Sequence, residues 1–147
     1  MHNPYDPGTE EIRAWAYAPG SLEPVQDWDL HLAHARHEKV YLELASDASC
    51  PARDYFLRIL YLIVGNAVRT RFKSEPEYLI SGFLERAQGY PDDAVQMWIV
   101  RSRELIRHPE TFDYAQWCAG GFVRSDVERN VTRGAANSRT PGSTDRK

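Results

Sequence analysis

Four side chains that commonly bind metal ions occur at short intervals in one predicted helix. They are Asp27, His31, His34 and Glu38, in a segment whose apolar residues repeat every three or four positions, which predicts a helix over 24–46. Since each residue turns an ideal helix by about 100°, the four project within about 60° of one another. Imidazole and carboxylate ligands suit zinc or iron, so a divalent metal ion is one hypothesis for a cofactor. The alternative is a polar helix face, because the order is not the His-Glu-x-x-His of zinc hydrolases.

A thiol offers a second route to chemistry. Cys50 directly precedes Pro51, which starts the next predicted helix, and Arg53 follows closely. A helix N-terminus and a nearby cation both lower a thiol pKa, which would make Cys50 reactive. The alternative is an inert thiol at a capping position, and we favour it because no partner base is identifiable and Cys118 is distant in the chain. His37 falls within the apolar stripe of its helix, which favours a hydrogen-bonded core histidine over a ligand.

Aromatic and acidic residues near the N-terminus form a candidate protein-binding surface. Residues 1–50 carry nine acids and three bases, a net charge of −6. Exposed aromatic side chains anchor many protein interfaces, and charge of one sign steers a partner of the other. The candidate set, called the N-terminal patch below, consists of Trp15, Tyr17, Asp27, Trp28 and Asp29. Trp28 can take part only if it is exposed. This patch predicts a basic protein as the partner.

Nucleic acid is the less favoured partner. Basic residues do cluster toward the ends of two predicted helices, at Arg69, Arg71 and Lys73 and again at Arg101, Arg103 and Arg107. Cations at helix C-termini also complement the helix dipole, and the whole chain has a net charge of −3. These arginines therefore predict solvated helix ends, and we expect no nucleic-acid binding.

The elements that must position these residues are helical. A second predicted helix, 51–72, is apolar nearly all round over Tyr55–Val68, so it is expected to be the central element. Ser74-Glu75-Pro76-Glu77 matches a capping box and begins a helix over 75–88. Further helices are predicted over 91–107 and 109–119, with Trp98 and Trp117 on their apolar faces. Periodicity leaves open whether 12–18 is a strand or a helix.

Together these segments predict an all-α fold, a compact bundle of about five helices. Pro51 and Pro91 start helices forty residues apart, which is compatible with two stacked helical pairs. The predicted organisation is an N-terminal extension (1–21), a helical domain (22–123) and a disordered C-terminal tail (124–147), whose sparse apolar residues cannot offset the entropy of ordering.

Composition and the absence of long apolar runs indicate the cellular compartment. The chain has 147 residues, two cysteines, no run of about 18 apolar residues and no export-signal pattern at its start. We therefore expect a cytoplasmic protein, with no membrane contact and no disulfide framework.

The function favoured by these observations is a protein–protein interaction module without a cofactor, for example an immunity-type or regulatory binder of bacterial origin. The alternative is a metal- or thiol-dependent enzyme that uses Asp27, His31, His34 and Glu38, or Cys50. The pattern of residues does not define an oligomeric state.

Overall fold

The computed structural model describes residues 1–119 and contains seven α-helices in that range. They are α1 (Thr9–Tyr17), α2 (Trp28–Leu32), α3 (Glu38–Ser46), α4 (Arg53–Arg69), α5 (Glu77–Ala87), α6 (Asp93–Arg107) and α7 (Tyr114–Ala119). Two 3₁₀ turns, Ala35–His37 and Pro109–Thr111, complete the order. No strand occurs in this part of the chain, and five helices have seven residues or more, so the predicted all-α class is confirmed. The predicted tail, 124–147, lies outside the described residues.

Helix α4 is the centre of the fold, as its all-round apolar sequence predicts. Eleven of its 17 residues are buried, among them Phe56, Leu60 and Ile63. It packs against α2, α3, α5, α6 and α7. Asp54 lies in its first turn, where a carboxylate complements the helix dipole. No helix in residues 1–119 has the length and apolar character needed to cross a membrane.

The helix predicted over 24–46 is wrong as a single element, because the chain breaks between α2 and α3. His34 is extended (φ −146°), and its side chain accepts a hydrogen bond from the Arg36 backbone N–H, which starts the 3₁₀ turn. The Tyr41 hydroxyl donates to the Leu32 carbonyl (2.8 Å), a group that a continuous helix would have used internally. Apolar periodicity continues across the break because α2 and α3 bury residues in the same core, Leu32 from one helix and Val40 from the other.

The N-terminal segment is helical and packs on the core. Residues 12–18, left open between strand and helix by the sequence, fall largely in α1, whose Ile12 and Ala16 are fully buried. The Glu11 carboxylate accepts hydrogen bonds from the backbone N–H groups of Gly8 (2.9 Å) and His2 (2.8 Å). These two bonds fix the start of α1, so the segment predicted as an extension contributes side chains to the domain.

Helix α7 is attached to α4 at a glycine. A Cβ built on Gly65 would lie 2.6 Å from Cδ1 of Trp117, closer than van der Waals contact allows. The Trp117 indole N–H donates to the Tyr61 carbonyl (2.6 Å), and the Tyr61 and Trp117 rings lie 5.0 Å apart. The absence of a side chain at position 65 therefore allows Trp117 to reach the α4 backbone.

We predict that Gly65→Ala lowers the free energy of unfolding by about 1–3 kcal/mol, because the added methyl group overpacks the Trp117 contact. Urea unfolding followed by circular dichroism measures the change. Gly82→Ala is the matched control, since it is also inside a helix and its Cβ would meet only the Arg86 guanidinium. Replacing a mid-helix glycine by alanine there is expected to stabilise by about 0.5–1 kcal/mol. Equal effects at the two glycines would contradict the described contact between α7 and α4.

Candidate functional site

The four predicted metal ligands do not share one helix face. Asp27 is the left-handed residue (φ 56°) before α2, and His31 packs its ring on Tyr5, with 4.9 Å between ring centres. His34 and Glu38 follow the break, on either side of the 3₁₀ turn. A metal ion shared by these four residues would require the continuous helix predicted over 24–46, and that helix is not formed. In residues 1–119, no three His, Cys, Asp or Glu side chains are grouped in a way that could hold a metal ion.

His34 and Glu38 do line one polar cavity of about 440 Å³, together with Arg36 and Glu75. Their polar atoms are already used by the protein. The Glu38 carboxylate accepts from the Arg86 guanidinium at 2.5 and 2.8 Å, and Glu75 accepts from the Ala35 N–H at 2.6 Å. These contacts connect the turn before α3 and the first residue of α3 to α5 and to the loop that precedes α5. The residues that line the cavity therefore have a structural role.

The two histidines of this turn favour their neutral form. Burial, together with the nearby Arg36 guanidinium, lowers the pKa of both His34 and His37. The His37 Nε2 atom is buried with no hydrogen-bond partner among the described residues, and its ring lies 6.1 Å from that of Tyr41. His37 is thus partly buried beside Tyr41, and its Nε2 atom lacks the hydrogen bond that the sequence predicted for a core histidine.

The cysteines are not activated. Cys50 is buried, with its Sγ 3.7 Å from the Ala16 carbonyl oxygen, and burial raises the pKa of its thiol. This is the opposite of the shift that the helix N-terminus and Arg53 were expected to produce, because the loss of hydration outweighs both. Cys118 is partly buried on α7, and burial raises its pKa as well.

Trp28, one of the five residues of the N-terminal patch, is not at the surface. It is fully buried, its indole N–H donates to the Pro4 carbonyl (2.8 Å), and its ring lies 4.8 Å from that of Trp15. The expectation that Trp28 anchors a partner is therefore corrected. In the sequence Trp28 stands between two acids, which suggested an exposed position. It is buried because its ring joins an aromatic cluster with Trp15, Tyr55 and Phe56.

The other members of the N-terminal patch are only partly available. Asp29 pairs with Arg58 (3.0 Å) at the surface of α4, and Trp15 is half-buried with its N–H bound to the Leu22 carbonyl. The Tyr17 ring is exposed, and its hydroxyl donates to Asp47, a bond that raises the pKa of Tyr17 to about 12. Asp27 and Tyr17 are the exposed members of the set.

Most carboxylates of residues 1–50 are bonded to other groups of the same chain. Eight of the nine acids accept a hydrogen bond or form an ion pair: Asp6 with Arg36, Glu10 and Glu43 with Arg13, Glu11 with the backbone, Glu23 with Tyr55, Asp29 with Arg58, Glu38 with Arg86, and Asp47 with Tyr17. Most of these contacts link residues thirty or more positions apart. The carboxylates expected to steer a basic partner therefore act mainly as ties between helices.

An apolar depression lies between α6 and the segment that leads into α7. This α6 groove, about 420 Å³, has apolar walls from Val100, Leu105, Phe112 and Trp117, and its rim includes Arg101 and Glu104. Val100 is 67% exposed beside it, and Met97, one turn earlier, is 38% exposed. The sequence signal for this surface was the pair of apolar residues at 97 and 100, which lie off the inward stripe of the helix.

A second cavity shares Phe112 with the α6 groove. This basic cavity, about 590 Å³, is lined by Val68, Arg69, Arg71 and Phe72 at the end of α4 and by Pro109, Glu110 and Phe112. Arg71 and Phe72 both have positive φ (54° and 62°), a conformation that costs non-glycine residues about 1–3 kcal/mol each. The ends of α4 and α6 thus meet here, and the arginines assigned by sequence to solvated helix ends line a cavity.

Comparison with protein-family models, curated proteins and solved structures finds no match to this chain. A function for this chain is therefore inferred from the side chains and surfaces described above.

We predict that the free energy of unfolding falls as the pH drops below about 6.5, the ordinary pKa of histidine. His34 and His37 have lowered pKa values in the folded state, so below that pH the unfolded chain binds more protons and is favoured. Urea midpoints compared at about pH 7.5 and about pH 5.5 measure this change. The window lies above the titration of Glu11 and Asp47, whose hydrogen bonds lower their pKa values.

The double variant His34→Gln with His37→Gln should reduce the difference between the two midpoints. His108→Gln, at an exposed position far from this turn, is the matched control and should leave it unchanged. A pH dependence that is the same in the wild type and the double variant would contradict the assignment.

Proposed function

We propose that this protein acts by binding another protein, and that the α6 groove receives an apolar side chain of the partner. The observation that carries the proposal is an exposed aliphatic residue, Val100, beside a groove whose walls are mostly apolar. Apolar surface rimmed by polar groups is typical of protein interaction sites, since covering it removes unfavourable hydration. Arg101 and Glu104 at the rim supply the hydrogen-bonding groups that orient such a contact.

The shape of the groove supports a side chain as ligand. A volume near 420 Å³ accommodates one or two large apolar side chains, and Phe112 and Trp117 provide flat aromatic walls. Trp117 is held by its hydrogen bond to the Tyr61 carbonyl and by its packing on Gly65, so this wall is fixed before a partner arrives. A preformed wall lowers the entropic cost of association.

The alternative hypothesis was a metal- or thiol-dependent enzyme. The residues it would use have structural roles in the fold. Glu38 is tied to Arg86, His34 caps the turn before α3, and Cys50 is a buried thiol with a raised pKa. The N-terminal patch supports binding less well than the α6 groove, because Trp28 is buried and Asp29 is paired.

We predict that Val100→Asp reduces partner capture by about tenfold or more, because a carboxylate at the groove edge opposes burial by an apolar side chain. The measurement is affinity capture from cells that naturally produce the protein, quantified against wild type at equal bait loading. Tyr78→Asp is the matched control, since Tyr78 is 74% exposed on α5, another large exposed side chain away from the groove lining.

Partners retained by Tyr78→Asp and lost with Val100→Asp would support the proposal. Capture that is equally strong with both variants would show that the groove is not the binding surface. Circular dichroism of both variants confirms that neither is unfolded.

A further inference from the structure

We infer that the segment bound by this protein is acidic, with carboxylates that meet Arg69 and Arg71 while an apolar side chain of the same segment enters the α6 groove. This inference rests on the proposed function and adds the chemistry of the partner. The juxtaposition that carries it is Phe112, which forms a wall of both the α6 groove and the basic cavity. An extended segment or a short helix crossing Phe112 would therefore contact both cavities.

The basic cavity carries two arginines and one acid, so its lining keeps a net positive charge. Arg69 and Arg71 are exposed, and neither forms an ion pair with a carboxylate of residues 1–119. Glu110, the acid in the lining, lies 3.6 Å from His108, and the neighbouring Arg107 is paired with Glu104 (3.0 Å). Two guanidinium groups are thus available at one cavity, and guanidinium binds carboxylate in a paired geometry.

The backbone conformation places Arg71 at the lining of the basic cavity. Cations at the end of a helix can be explained by the helix dipole, and Arg69 fits that explanation. Arg71 follows the cap residue Thr70 and occupies a left-handed conformation, where glycine would be less strained. Phe72, the next residue, has the same backbone conformation, and both side chains line the basic cavity from this turn.

Peptide carboxylates fit this site better than nucleic-acid phosphates. The cavity lining also includes the apolar residues Val68, Phe72 and Phe112. Glu104 and Asp113 in the α6 groove and Glu110 in the basic cavity oppose any anionic ligand, and they oppose a phosphate backbone, charged at every nucleotide, more than a segment whose carboxylate lies only at Arg69 and Arg71. An acidic segment places isolated charges where the arginines are and apolar atoms where the walls are.

The test is selection from a phage-displayed library of random dodecapeptides on the immobilised full-length protein. We expect enriched peptides to combine Asp or Glu with a large apolar residue within a few positions. Their affinity should fall about tenfold for the Arg69→Gln, Arg71→Gln double variant, and also with rising salt. The matched control carries Lys39→Gln and Arg103→Gln, which remove the same charge from exposed positions outside the two cavities and should bind as wild type does.

Arg71→Gly separates binding from folding. Glycine relieves the positive φ at this position, so the variant should unfold at a urea concentration no lower than wild type, while its affinity for the selected peptides falls several-fold. Weaker binding in a variant that is fully folded supports the inference. Unchanged binding by Arg71→Gly and by the double variant overturns it.

The remaining outcomes distinguish this inference from the proposed function. Enriched peptides that are neutral or basic, yet lose binding with Val100→Asp, overturn the acidic chemistry and leave the groove as a protein-binding site. Failure to enrich any peptide that depends on Val100 overturns both proposals. A fluorescent DNA duplex or single-stranded RNA that binds, and that loses binding in the double arginine variant, would assign the basic cavity to phosphate and also overturn the inference.

Discussion

The rest of the structure depends on the need to bury α4 on every side. In this 17-residue helix the consecutive residues Leu60, Tyr61, Leu62 and Ile63 are all buried, and each lies about 100° further around the axis than the last, so other helices have to cover it on several sides. Helices α2, α3, α5, α6 and α7 do so, and the short length of several of them is compatible with this role, since each covers only part of the central helix. The breaks in the chain therefore follow from packing around α4.

Carboxylates of the N-terminal half connect the helices that surround α4. Most acids of the N-terminal half accept hydrogen bonds from groups that are distant in sequence, such as Glu38 from Arg86 and Glu43 from Arg13. Exposed pairs of this kind contribute little individually, about 0–1 kcal/mol, but they fix which helix lies beside which. The net charge of residues 1–50 therefore says more about how α1, α3 and α5 are tied together than about a partner.

The candidate binding surface forms beside α7, the last helix in the described chain that covers α4. None of the residues of α7 is fully buried, and Trp117 attaches this helix through the gap at Gly65. The α6 groove lies beside α7 and shares Phe112 with the basic cavity. The Gly65 contact that packs Trp117 on α4 therefore also positions one wall of the candidate binding surface.

The sequence by itself determined the helical class, the central place of α4, the start of α6 after Asp92, and the burial of Trp98, because periodicity, capping residues and proline act over a few neighbouring positions. The capping box predicted at Ser74 was wrong, since α5 begins at Glu77 and no side chain caps it. It did not reveal the break at His34, since α2 and α3 keep the same apolar stripe on both sides of it. Only the tertiary structure decided that Trp28 is buried, that Asp29 is paired, and that Arg71 and Val100 line two cavities that share Phe112. Those properties depend on contacts between residues far apart in the chain, and local patterns carry no information about which distant side chain will fill a space or neutralise a charge.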